Sequence, residues 1–160
     1  MIDTPLDRTD VEILRLLQKD ARISNKELAN AVGLAPSSCH ERLKRLRADG
    51  VLKGAHAEVD FAALGYHLEA LLFIELAKHT REVVDEFLRE ILTIPEVRSG
   101  FLVTGSHDMV VHVAVRDMTH LKNLALDQFT SRPVVTKIET SIIFQAAHRY
   151  DLAPASSDLA

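Results

Sequence analysis

Tryptophan is absent from this 160-residue chain, tyrosine occurs twice, and aromatic residues make up only 5% of it. A tetrapyrrole pocket, rich in aromatic and basic side chains, would have little to draw on. A single cysteine, Cys39, excludes an internal disulfide and suits a reducing compartment. No apolar run approaches the roughly 18 residues of a membrane span. The opening MIDTPLDRTD lacks the apolar stretch of a signal peptide. The expectation is a cytoplasmic protein away from the membrane, with no cofactor.

What is present is the balance of a folded globular chain, 47% hydrophobic and 26% charged residues. The length serves one ordinary domain or two small ones. The net charge of -4 argues against indiscriminate nucleic-acid binding, but it is unevenly spread. Residues 1–53 carry ten Lys/Arg against eight Asp/Glu, and residues 54–160 carry nine against fifteen. Within 36–53, Arg42, Lys44, Arg45, Arg47 and Lys53 oppose only Glu41 and Asp49, a local +3. Such a distribution lets one face meet phosphate while the remainder avoids it.

Three short helices are legible in the first fifty residues. Asp7 caps the first, Asp10 lies near its positive end, and Ile13, Leu14 and Leu17 follow Asp10 at helical spacing. Ser24-Asn25-Lys26-Glu27 is a capping box that starts the second, with Leu28, Ala29 and Val32 inward and Gly33 ending it. Pro36 suits the first turn of the third, and Gly50 closes it. Cys39, Leu43 and Leu46 recur at i, i+4 and i+7 and face inward. That leaves Ser37, Ser38, His40, Glu41, Arg42, Lys44, Arg45 and Arg47 on the other sides. Two short helices joined by a tight turn, the second basic and polar outside, can lay that second helix in a major groove. Short side chains allow approach to base edges, while Arg and Lys reach phosphate or guanine. A small bundle with a merely solvated basic face has the same pattern.

Beyond Gly65 the periodicity changes. Residues 68–77 read as a strand, with a helix as the alternative. Thr80 starts a helix carrying Val84, Phe87, Leu88 and Ile91, which ends by Pro95. Residues 97–104 and 109–115 read as a hairpin about Gly105-Ser106-His107-Asp108. Asp117 caps a helix with Leu121, Leu124 and Ala125, and residues 138–146 form the last strand. The order β-α-β-β-α-β is ferredoxin-like, so the fold class is α+β. Leu71, Phe73, Val110, Val111, Val113, Ile142, Ile143 and Phe144 cannot all face two helices, and a second copy is the simplest cover for the other sheet face.

With these pieces placed, the chain resembles the Lrp/AsnC family of feast/famine regulators. The likeness runs from about residue 6 to 148. It rests on the stretch from LDRTDVEIL to ADGVLKG, IPEV at 94–97, VTGSHDMVVHV at 103–113 and ETSIIF at 139–144. It implies a winged-type helix-turn-helix domain over 1–58 and a linker over 59–65. A ferredoxin-like effector and oligomerisation domain would span 66–150, with a flexible tail over 151–160. It implies a transcriptional regulator rather than an enzyme, binding pseudo-palindromic promoter DNA through Ser24, Asn25, Lys53 and the α-helical residues named above. It also implies homodimers that assemble into tetramers, octamers or larger rings, with a small molecule, usually an amino acid, held between dimers. Gly105, Ser106, His107, Asp108, Thr140 and Ser141 would form that site, Asp108 taking the ammonium and backbone N–H groups or hydroxyls the carboxylate. On pattern alone Gly105 simply turns the hairpin and Asp108 bonds its backbone. The chain departs from the family at Ala35, where a capping Ser is common, at Ser106 and His107, where an acidic residue and an aromatic are common, and at Val134, where Gly is frequent.

Other constellations carry less. His107 and His112, five apart, are expected on opposite faces of a strand, and no histidine pair has metal-ligand spacing. Cys39 lies on an inner stripe, as a small buried apolar residue does. The enzymatic alternative is a sirohaem-decarboxylase-like protein of related architecture, disfavoured by the scarcity of aromatics and the acidic second half.

Overall fold

The computed structural model describes residues 5–78 and 80–151. The flexible tail expected over 151–160 lies, beyond Asp151, outside them. The chain divides into two units, Met1–Glu58 together with Ala147–Ala160, and Val59–Ala146. Residues 59–65, expected as a linker, group with the second unit. There Ala62–Leu64 form a 3-10 turn closed by Gly65 at φ 86°, and the Arg98 guanidinium lies 4.3 Å above the Phe61 ring.

The first unit holds α1 (Arg8–Lys19), α2 (Asn25–Ala31) and α3 (Pro36–Ala48). Asp7 and Asp10 form a reciprocal capping box at the start of α1, and Ser24 and Glu27 form another at α2. Gly33, at φ 67°, makes the tight turn. Ile13, Leu28, Ala29, Cys39, Leu43 and Leu46 are buried together, with Leu14, Leu17, Val32, Val51 and Leu52 packed around them. Burial pushes the Cys39 thiol up, and the Arg42 charge offsets only part of that, so the sulfur stays a protonated core atom. Residues 51–60 form no helix or strand.

The second unit runs β1 (Leu68–Leu76), α4 (Arg81–Ile91), β2 (Val97–Leu102), β3 (Met109–Val115), α5 (Met118–Leu124) and β4 (Val135–Ile143). The sheet is antiparallel in the order β2-β3-β1-β4. Alternate residues Ala70, Leu72, Ile74 and Leu76 of β1, with Met109, Val111 and Val113 of β3, pack on Val84, Phe87 and Ile91 of α4 and on α5. Gly100 lets α4 lie close: a Cβ there would stand 2.7 Å from Leu88 Cδ1. Leu71, Phe73, Val110 and Ile143 lie on the opposite face, whereas Val111 and Val113 do not. β4 begins three residues before the expected Ile138 and stops at Ile143. Its partner β1 begins at Leu68 and the last pair is Glu69 with Ile143, so later residues have nothing to bond. Phe144, the next residue, is 98% exposed.

After α5 the chain enters a wider π turn, Ala125–Thr130. A regular α-helix would carry the stripe of Leu121 and Leu124 on to Gln128. The extra residue moves that place to Phe129, which is fully buried while Gln128 is exposed. Among the described residues no helix is long and apolar enough to cross a membrane.

Candidate nucleic-acid interface and ligand site

α3 presents two different outer faces. Ser37, Glu41 and Lys44 recur at i, i+4 and i+7 opposite the buried stripe of Cys39, Leu43 and Leu46, and all three are exposed. His40, Arg47, Ser38 and the following Lys53 are exposed as well. The face toward α1 is different. Arg42 Nη1 donates to Asp7 Oδ2 at 2.6 Å and to Asp10 Oδ1 at 2.9 Å, and Arg45 Nη2 donates to Asp10 Oδ2 at 2.5 Å. The Asp10 side chain is only 1% exposed, so it is a buried carboxylate held by two cations.

Sequence reading placed Asp10 at the helix dipole and missed this role. A signal was available, because Asp10 occupies the same stripe as Ile13, Leu14 and Leu17. A carboxylate on a buried stripe requires a cation within reach. Arg42 and Arg45, named as DNA contacts, are therefore engaged inside the unit, and the cations on exposed parts of α3 are Lys44 and Arg47.

Burial pushes the Asp7 carboxyl up, but the Arg42 hydrogen bond, with the Asp10 N–H and the Arg42 charge, outweighs it and holds the acid below its ordinary 3.8. A lowered folded-state value stabilises above the ordinary pKa, and that contribution is lost as pH falls through the folded one. Asp7→Asn is thus expected to shrink the drop in melting temperature between about pH 6 and about pH 3. Equal drops in wild type and variant would remove Asp7 from the acid response.

The other proposed contacts are anchored in different ways. Ser24 accepts the Glu27 N–H at 3.2 Å as helix cap. Asn25 Nδ2 donates to the Pro36 carbonyl at 2.9 Å. That bond ties the start of α2 to the start of α3, where Ala35 supplies no side-chain cap. Asn25 Oδ1 is buried without a partner.

At the 105–108 hairpin, Gly105 at φ 125° makes the turn that an L side chain resists. Asp108 faces back into the sheet. Its carboxylate accepts the Leu76 N–H at 2.7 Å, beside an irregularity in β1–β4 pairing at Glu75/Leu76, and its own N–H donates to the Ile74 carbonyl at 2.9 Å. Its carbonyl accepts the Val103 N–H at 2.9 Å, closing the hairpin. Ser106 is exposed, with Oγ 3.1 Å from His107 Nδ1. His107 packs 5.4 Å from the Phe73 ring, and its Nε2 lies 3.4 Å from Glu139 Oε2 without hydrogen-bond geometry.

The expectation that His107 and His112 occupy opposite faces fails. His107 precedes β3, where strand alternation does not apply, and it meets Phe73 on the same open face as His112, which sits 2.7 Å from Glu69. Glu139 on that face was not among the expected site residues. The Lys137 ammonium beside it holds its carboxyl below the ordinary value. Thr140 and Ser141 pair with Leu72 and Leu71, nearer the start of β1 than the hairpin, which joins β1 at Ile74 and Leu76. Being adjacent in β4, they point to opposite faces. The hairpin residues are thus together, while the two hydroxyls are displaced from them.

These features have counterparts in known proteins. A winged helix-turn-helix DNA-binding family model matches residues 6–53, and an Lrp/AsnC ligand-binding-domain model matches residues 69–151. The chain is 38% identical over 144 residues to the transcriptional regulator AzlB of Bacillus subtilis, covering 90% of this chain and 92% of that one. It is 37% identical to the regulator AldR of Mycolicibacterium smegmatis, covering 88% and 82%. A transcriptional regulator of Neisseria meningitidis in complex with L-methionine superposes with a TM-score of 0.83 at 30% identity, covering 92% of this chain and 96% of that one. With both modules matched in the order found here, the chain belongs to the Lrp/AsnC family of transcriptional regulators, as a DNA-binding protein with a ligand-binding domain.

Proposed function

We propose that the chain acts in the cytoplasm as an amino-acid-responsive regulator that binds pseudo-palindromic promoter DNA as a homodimer or a larger ring of dimers. The face of α3 bearing Ser37, Glu41 and Lys44 enters the major groove, with His40 and Arg47 beside it. A patch this weakly positive needs a second copy to hold DNA, and two-fold pairing would set two such helices about one DNA turn apart. The amino acid sits where dimers meet, at the 105–108 hairpin. Because Asp108 is turned into the sheet, the ammonium partner in this reading is Glu139, with Ser106 and the hairpin N–H groups toward the carboxylate. The ligand must bind two assemblies with different affinity, and that difference is what changes DNA binding.

The observation that carries the effector class is the L-methionine held by the Neisseria relative. Since the relatives named above are all transcriptional regulators, we read the chain as a regulator and not as the decarboxylase-like enzyme. A thermal-shift screen against the amino acids and their 2-oxo acids tests it. A true effector at 100 times its Kd adds about 2.7 kcal/mol to the state it binds, and Glu139→Gln should remove the shift. A screen in which no amino acid moves the melting temperature defeats the proposal.

For the DNA side, Lys44→Ala should reduce the slope of log affinity against log salt by about 0.9 for each protomer bound, the loss of one phosphate contact per copy. An unchanged slope removes Lys44 from the interface.

A further inference from the structure

Three polar fastenings fix α3 to the rest of its unit. At its start, Asn25 holds the Pro36 carbonyl. In its middle and last turn, Arg42 and Arg45 reach the Asp10 carboxylate, and Arg42 also reaches Asp7. Asp10 is central to all but the first. One oxygen accepts Arg42, and the other accepts both Arg45 and the Asp7 N–H at 3.2 Å. Two acids thus neutralise two bases, and the side chains of Arg42 and Arg45 are only 27% and 36% exposed.

A helix seated on an apolar stripe alone can roll by a fraction of a turn, because hydrophobic contact has no direction. Ion-paired hydrogen bonds to a guanidinium fork do have direction. The fork-to-carboxylate contacts lie to one side of the Cys39–Leu43–Leu46 stripe, so they oppose rolling where that stripe cannot. Ser37, Glu41 and Lys44 are thereby held on the face opposite the core.

We propose that Asp10 is a positioning residue for sequence recognition: it locks Arg42 and Arg45 against α1, fixes the rotation of α3, and withholds both arginines from DNA phosphate. This rests on the reading of α3 as the helix that enters the groove. On this account the basic count of the region overstates its phosphate contacts, and specificity depends on a carboxylate that never touches DNA.

The test uses the full chain, a roughly 30-bp duplex selected from a random pool by the wild-type protein, and a scrambled duplex of the same composition. Affinity is read by fluorescence anisotropy from about 50 to about 300 mM salt. Arg42→Met should leave the salt slope unchanged when it is read at protein and salt conditions where circular dichroism shows a constant folded fraction. Asp10→Asn keeps one acceptor and releases one guanidinium. It should lower the preference for the selected duplex by about ten-fold or more, leave scrambled-duplex affinity equal or higher, and steepen the slope by up to about 0.9 per protomer bound. The inference is overturned if Arg42→Met flattens the slope by about 0.9 per protomer bound, since Arg42 then neutralises a phosphate. It is overturned equally if Asp10→Asn retains full preference, or weakens both duplexes alike as a merely structural change would. A wild-type protein that selects no duplex at all defeats the reading of α3 itself, an outcome distinct from the other three.

Discussion

Phe129→Ala is expected to lower the unfolding free energy of the second unit by about 3–5 kcal/mol, the range for emptying a buried phenylalanine site. For a domain of this size that corresponds to a fall in melting temperature on the order of 15 °C. The ring is fully buried among residues from all layers of the unit, and it is the largest fully buried side chain of the described residues. The π turn places it there, so the variant also tests the turn. Gln128→Ala, one residue earlier and exposed, should change stability by less than about 0.5 kcal/mol. Denaturant unfolding followed by circular dichroism measures both. Were the two residues in regular helical register, the effects would be reversed in rank, and a Phe129→Ala change below about 1 kcal/mol would show that the ring is not in the core.

Asp10→Ala should destabilise the first unit by about 3 kcal/mol. Breaking a buried pair by removing one partner costs about 3–5 kcal/mol. The lower end applies because the orphaned groups are the two arginines, whose heads are partly exposed and can turn to water. Arg42 also keeps its bond to Asp7. Arg45→Ala leaves Asp10 with one cation and should cost less, while the double variant should cost less than the sum of the singles, since both act on one cluster. Additive costs would mean that the cluster is not a unit. Small domains have little stability to spare, so this variant is to be measured in stabilising cosolvent, whereas Asp10→Asn keeps the shape needed for binding work.

Much of this architecture is legible in the residues, for physical reasons that differ by element. Ser24 with Glu27, Pro36 and Gly33 are local signals, and local signals fix helix ends without help from the remainder of the chain. The period-two burial of β1 follows from its having helices on one face alone. The order of elements then leaves few topologies. What escaped reading was set by partners distant in sequence. The end of β4 is decided by where β1 begins, 74 residues earlier by the Glu69–Ile143 pairing. The shift from Gln128 to Phe129 is decided by the core, which takes the ring and rejects the amide.

The candidate sites divide the same way. Exposure of Ser37, Glu41 and Lys44 follows from the apolar stripe opposite them. The engagement of Arg42 and Arg45 depends on Asp10, more than thirty residues away by the Arg42 pairing, and composition counts all five bases of the segment alike. At the hairpin, Asp108 was expected to face a ligand, but the pairing irregularity at Glu75/Leu76 calls for an acceptor at the Leu76 N–H, and Asp108 supplies it. Glu139 was missed because only the register of β4 against β1 sets it across from Phe73 and beside His107.

The fastening of Asp108 to β1 has an evolutionary consequence. The hairpin is secured at its base by bonds to Ile74, Leu76 and Val103, none of which involves the side chains at its tip. Residue 106 can therefore vary, provided the turn at Gly105 is kept, without disturbing the strands that carry it. A lineage could alter the chemistry presented there, at Ser106 for one, while inheriting the sheet unchanged.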